Sequence, residues 1–176
     1  MGEGTHKKEL RLWGYCMYFL LKFIVFFMNR FYAKSGLKFE CLECGECCRL
    51  PGGRVEVSIA EAQGIAHYLN VGFSEFLDEY CQMTEEGISL KDSEELHCVF
   101  LEDNRCRIYP IRPLQCRTFP FWPENLKSAY RWIGVKTFCP GINRGKHFSP
   151  EFIESVCQMQ RQEDKRRSEE SLNDFG

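Results

Sequence analysis

The chain has 176 residues, 44% of them apolar, with a formal charge of −2 and a pI near 6.1. That length and apolar content support one folded domain with a hydrophobic core, and they exclude a collagen, a disordered tail and a disulfide-stapled miniprotein. The near-neutral charge excludes a phosphate-neutralising surface spread over the protein, so no nucleic-acid partner is expected.

In chain order, the first feature is an apolar run from Leu12 to Met28, broken only by Lys22. On a helical projection Arg11, Tyr15, Tyr18, Lys22 and Asn29 share one narrow stripe, and the rest of the cylinder is apolar. A spanning helix would be just long enough, but a lysine near its middle costs about 2.5–3.5 kcal/mol unless it snorkels. A secretory signal fits Lys7, Lys8 and Arg11 before the run but not Lys22 and Arg30. Residues 1–40 hold seven Lys or Arg against three Glu, which suits a helix over residues 11–32 lying on an anionic membrane surface. Docking onto the protein's own core or onto a partner protein, of unknown identity, is the fourth reading. Residues 1–38 are accordingly separated as an N-terminal apolar helix.

The next stretch is the densest in the chain: Cys41-Leu-Glu-Cys44-Gly-Glu-Cys47-Cys48-Arg49 places four of the 11 cysteines within eight residues. Gaps of two let a tight loop turn thiolates toward one point, with Gly45 free to take a left-handed conformation. Disulfides among these four are awkward, because bridged Cα atoms need about 4.4–6.8 Å and converging Cβ vectors. Arg54 to Val57 alternates as a short strand, and Ser58-Ile-Ala-Glu61 is a capping box that opens a helix to about Leu69. A further helix is expected from Ser74 to Gln82 and a strand from Ile88 to Leu90.

From Cys98 the pattern resumes. Cys98–Leu101 and Cys106–Tyr109 are expected as two strands joined across Asp103-Asn104, which would bring Cys98 near Cys106. Pro113 suits the start of a short helix bearing Cys116, ended by Phe119-Pro120. Tyr130–Lys136 alternates as a strand. Cys139-Pro140-Gly141 sets one more cysteine before a forced turn. Ser149-Pro150-Glu151 opens a final helix, whose charged end from Arg161 to Glu170 reads as a solvated face.

The candidate metal-binding residues are therefore Cys41, Cys44, Cys47, Cys48, Cys98, Cys106, Cys116 and Cys139, enough for two four-cysteine sites or one site with spare thiols. Three clustered cysteines plus a remote Cys-Pro also match a ferredoxin-type pattern, in which Cys41, Cys44, Cys47 and Cys139 would hold an iron–sulfur cluster. Zinc accepts the same donors. Cys16, Cys81 and Cys157 lie among apolar neighbours and are expected to pack as small hydrophobes on helices. Arg49, Arg107, Arg112 and Arg117 stand close enough in sequence to offset thiolate charge or to pair with carboxylates. His97 is expected at the surface, and Tyr109, Phe119, Phe121 and Trp122 are expected to roof the site.

The run Cys41-x2-Cys44-x2-Cys47-Cys48, then Cys98 with Phe100-Leu101, then Cys106-x-Ile108-Tyr109-x2-Arg112-Pro113-x2-Cys116-Arg117-x-Phe119-Pro120, then Cys139-Pro140-Gly141 resembles the YkgJ-type cysteine-cluster family. The resemblance covers roughly Phe39 to Gly145. It implies a zinc- or iron-chelating domain, and a related domain in flagellin lysine N-methylase adds a second reading, S-adenosylmethionine-dependent methylation of a protein lysine. Against that, no Gly-rich strand-to-helix turn of the nucleotide-binding kind is present. A third reading is a membrane-anchored interaction module whose metals only fold it.

The resulting expectation is an α+β protein. A small cysteine-rich domain of short strands and helices spans residues 39–148, followed by a C-terminal helix and charged tail over 149–176. Free thiolates require a reducing compartment, so the expected location is cytoplasmic, with the N-terminal helix at the inner membrane surface if it binds one.

Overall fold

A computed structural model describes residues 30–50 and 53–173. The apolar run Leu12 to Met28, and with it Cys16 and every reading of that helix, lies outside the described residues. Among those that are described, no helix is long and apolar enough to cross a membrane.

The elements are short helices and two-stranded antiparallel sheets, an α+β arrangement. Strand β1 (Leu37–Phe39) pairs with β6 (Lys146–Phe148), β2 (Cys81–Thr84) with β3 (Gly87–Leu90), and β4 (Leu101–Glu102) with β5 (Arg105–Cys106). Helix α1 (Ile59–Leu69) is followed by α2 (Phe73–Tyr80), α3 (Leu114–Thr118), α4 (Ala129–Val135) and α5 (Pro150–Asn173). Two-stranded sheets have little stability alone, so each depends on the side chains packed beneath it.

Those side chains form two separate cores. The first gathers Tyr32 and β1 with Phe119, Phe121, Leu126, Trp132, Val135, Cys139, Ile142 and, from α5, Ile153, Val156 and Cys157. The second gathers Val57 and the α1 residues Ala62, Ile65 and Ala66 with Phe76, Tyr80, Cys81, Leu90, Phe100 and Ile108. The spacing of 62, 65 and 66 puts one stripe of α1 inward, and Phe76, Tyr80 and Phe100 stack behind it with ring centroids 5.1–6.4 Å apart.

Local chemistry sets the boundaries. Ser58 Oγ accepts the Glu61 amide at 3.2 Å while the Glu61 carboxylate accepts the Ser58 amide at 2.9 Å, so α1 starts where the capping box predicts. Helix α2 is shorter than expected: it ends at Tyr80, and Cys81 leads into β2 opposite Leu90. Cys81 is still buried, but in a strand.

Three further expectations need correction. Tyr130–Lys136 is not a strand. Ser128 Oγ accepts the Arg131 amide at 3.2 Å and starts α4, which buries Trp132 and Val135 and leaves Tyr130 exposed. Arg54–Val57 reaches only a single bridge, Glu56 opposite Ser89, although the Val55 carbonyl and Val57 amide both bond to β3 at 2.9 Å. The expected hairpin keeps its turn, with Asp103 and Asn104 at φ 47° and 63°, but its strands shrink to two residues each. Positive φ at both loop positions is what a two-residue antiparallel turn requires.

The charged end of α5 is mostly exposed, with one exception. Arg167 is buried; its Nη2 lies 2.6 Å from Asp164 and 3.3 Å from Glu56, and its Nη1 donates to the Glu56 carbonyl at 3.1 Å. Gln160, about two turns earlier on the same face, accepts the Thr118 hydroxyl at 2.8 Å. Thus α5 closes the first core with its N-terminal half and reaches the second core's edge with its C-terminal half.

Candidate metal centre

The cysteine loop begins where β1 ends. The Glu40 amide donates to the Gly141 carbonyl at 3.2 Å, which sets Cys41 beside the Cys139-Pro140-Gly141 turn. A Cβ on Gly141 would lie 1.8 Å from the Glu40 carbonyl oxygen, so no other residue allows this approach. The loop then turns through Glu43 at φ 52° and Gly45 at φ 73° into a 3-10 turn over Glu46–Cys48. Gly45 combines positive φ with close contact: a Cβ there would meet Leu101 Cδ1 at 2.7 Å and the Asn104 carbonyl at 2.9 Å. The loop is therefore seated on the β4–β5 hairpin, where Arg49 also donates to the Asn104 side chain.

At the far end of the loop the Cys98 amide donates to the Cys48 carbonyl at 2.9 Å. Cys106, on β5, stands opposite Leu101 in the hairpin register. Cys116 comes from α3, which is held from three directions. The Leu114 amide donates to Glu61 at 2.6 Å, Gln115 bonds the Glu56 amide at 3.1 Å and the Arg54 carbonyl at 2.7 Å, and Trp122 Nε1 donates to the Gln115 carbonyl at 2.7 Å.

The consequence is a cavity of ≈ 210 Å³ whose lining includes Cys41, Cys44, Cys47, Cys48, Cys98, Cys106, Cys116 and Cys139. Cys81 and Cys157 do not reach it; they are buried in the two cores. All ten described cysteines are free thiols. Tyr109, Phe119 and Trp122 line the same space, whereas Phe121 turns away to stack on Trp132 with centroids 5.7 Å apart.

Of the four arginines near the cysteines in sequence, Arg112 and Arg117 line the cavity. Arg107 instead pairs with Glu102 at 3.1 Å and Arg49 lies 3.6 Å from Glu46. His97 sits 3.6 Å from Glu95, away from the cavity lining. Arg54, Glu61 and Gln115 shape the site without having been singled out in the sequence. Only the capping box at Glu61 offered a signal, and it gave no hint of the second bond to Leu114.

The cavity resists charge on most of its thiols. Burial pushes the Cys98 thiol up to about 11 and also raises Cys106, Cys116 and Cys139. Cys47 goes the other way, to about 7, because the Cys48 thiol donates a hydrogen bond to it and Arg112 stands near. Donating that bond raises Cys48. Among the described residues no three His, Cys, Asp or Glu side chains are already drawn together around a point that would hold a metal ion. The donor set nonetheless fits a soft metal. Thiolates are its preferred donors, a bound cation offsets the charge that burial otherwise opposes, and two arginines supply further positive charge.

A family model described as "CxxCxxCC: Putative zinc- or iron-chelating domain" matches residues 40–140. The chain belongs to this family. Two uncharacterized proteins of Methanocaldococcus jannaschii are similar to it: one is 31% identical over 64% of this chain and 40% of its own length, the other 33% identical over 63% of this chain and 62% of its own. The chain thus spans less than two thirds of the length of either of these two relatives. No solved structure matches it.

Proposed function

We propose that this protein chelates iron, as an iron–sulfur cluster, or zinc, through the thiolates of Cys41, Cys44, Cys47, Cys48, Cys98, Cys106, Cys116 and Cys139. The observation that supports the reading is the convergence of eight thiols from a loop, a hairpin, a helix and a turn on one cavity, with the other described cysteines kept out of it. Free thiols scattered as small hydrophobes would not be sorted in this way.

Zinc in this setting would join the two cores as a structural element, and an iron–sulfur cluster would add one-electron redox chemistry. In either case the chain's own contribution is to gather the donors, roof them with Tyr109, Phe119 and Trp122, and offset their charge with Arg112 and Arg117. Such a site works where thiols stay reduced.

Anaerobic purification followed by metal and sulfide analysis and visible absorption tests the proposal. Iron with sulfide and a brown colour identify a cluster; a colourless protein with stoichiometric zinc identifies the second metal. A reduced, folded protein that retains neither metal and takes up neither on reconstitution refutes chelation.

A further inference from the structure

Resting on that chelation reading, we infer that the eight thiols form two adjacent four-cysteine centres, one of Cys41, Cys44, Cys47 and Cys139 and the other of Cys48, Cys98, Cys106 and Cys116, each built on a different core.

Eight thiolates exceed what one tetrahedral ion or one four-iron cluster takes from protein, so the set either divides or leaves donors idle. The backbone supplies a division. Cys41 is tied to the Cys139 turn by the Glu40–Gly141 bond at 3.2 Å, by the Asn143 amide to the Lys38 carbonyl at 3.0 Å, and by the bridge between Phe39 and Ile142. Of those residues Phe39 and Ile142 belong to the first core, as Cys139 does. Cys48 is tied to Cys98 by the 2.9 Å amide bond, and both Cys98 and Cys106 pack against the second core. Cys116 joins them because α3 is anchored to Glu61 and Glu56, on the second core's side.

The electrostatic neighbourhoods of the two groups meet at the cysteine loop. The thiols that act most on Cys139 are Cys44, Cys47 and Cys41. Those that act most on Cys116 are Cys98, Cys47 and Cys106, those on Cys48 are Cys47, Cys98 and Cys106, and those on Cys106 are Cys47 and Cys41. Cys47 faces both groups. The count places it with Cys41, Cys44 and Cys139, since the other group is already complete at four. The loop from Cys41 to Cys48 then runs from one centre to the other, and metal loading would hold the two cores in register.

The test uses the full chain, purified anaerobically and analysed for metal by native mass spectrometry and elemental analysis. The wild type is expected to hold two centres. Cys139→Ser and Cys116→Ser are each expected to hold one, and the double variant none. Cys44→Ser and Cys106→Ser repeat the comparison, with circular dichroism reporting the fold of every variant. A wild type with one centre leaves chelation standing and overturns the division. So does loss of both centres in all four single variants. A wild type that binds no metal instead refutes the chelation on which the division rests.

Discussion

The amide of Cys98 donates to the carbonyl of Cys48 at 2.9 Å, and this one bond links the end of the cysteine loop to a hairpin about fifty residues further on. It fixes the main chain at both thiols before any metal arrives. Preorganised donors lose less conformational entropy on coordination than donors on a mobile loop. The bond closes one end of the loop, and the Glu40–Gly141 contact closes the other.

That second contact makes Gly141 a sensitive position. With a Cβ at 1.8 Å from the Glu40 oxygen, Gly141→Ala must push β1 and the Cys139 turn apart. The expected outcome is about 1–3 kcal/mol of destabilisation, as for other overpacked sites, together with weaker metal retention. Urea unfolding of metal-free protein measures the first effect and chelator competition the second. Wild-type values for both would show that the contact is not required.

How far the sequence foretold this arrangement varies with the range of the interactions. Ser58 and Glu61 bond each other three residues apart, so α1 could be placed from sequence. The Asp103-Asn104 turn was likewise legible, as was Pro113 before α3. The pairing of Leu37–Phe39 with Lys146–Phe148 was not, because two three-residue segments so far apart give no local signal. At Tyr130–Lys136 aromatic alternation pointed to a strand, yet Ser128 was free to cap a helix and no partner strand lay nearby. The eight candidate cysteines were legible as a group from spacing and neighbours. What holds them in place was not, since it depends on Gly141, Glu61 and Gln115, whose contacts exist only in the folded chain.

Cys81 and Cys157 lend the fold a pH dependence of definite sign. Burial raises each thiol from its ordinary value of 9.0 to about 11, so the folded state holds the neutral form. Their contribution is intact below about pH 9 and is lost as pH rises through about 11. Stability of metal-free protein should decline over that window, and Cys157→Ala should flatten part of the decline while lowering stability at neutral pH through lost packing. Both thiols should also alkylate more slowly than Cys41 and Cys47, which are exposed. Equal labelling rates, read by mass spectrometry of the metal-free protein, would contradict their burial.

Arg167 provides a test of how α5 is tied to the rest of the fold. Its guanidinium is buried against Glu56 and Asp164, and Arg167→Met would leave those carboxylates without their cation. Breaking a buried pair costs about 3–5 kcal/mol. Here the lower end is expected, because Asp164 is half exposed. The second core's edge at Glu56 should loosen first, visible as faster amide exchange at Val57 and Leu90, whose amides bond across it. A loss within about 0.5 kcal/mol, the range of ordinary surface substitutions, would return Arg167 to the solvated face that the charge run suggested.

Arg112 links the roof of the cavity to its chemistry. Its Nε donates to the Tyr109 carbonyl at 3.0 Å and its guanidinium lies 3.6 Å over the Tyr109 ring, so the charge is held in place next to Cys47, Cys106 and Cys116, each of which it favours as thiolate. Arg112→Gln removes that charge while leaving every sulfur. Metal stoichiometry should stay at the wild-type value, and affinity should fall by about 10–100-fold, the usual effect of removing a group that supports metal-binding side chains. Arg112→Lys should recover only part of the loss, since an ammonium cannot keep the stacked, planar contact with Tyr109. Competition with a chromophoric chelator at fixed pH gives the affinities. If Arg112→Gln bound metal as tightly as wild type, Arg112 would serve only to pack Tyr109, and the charge of the thiolates would have to be offset by the metal and the other cations of the lining, Arg54, Lys91 and Arg117.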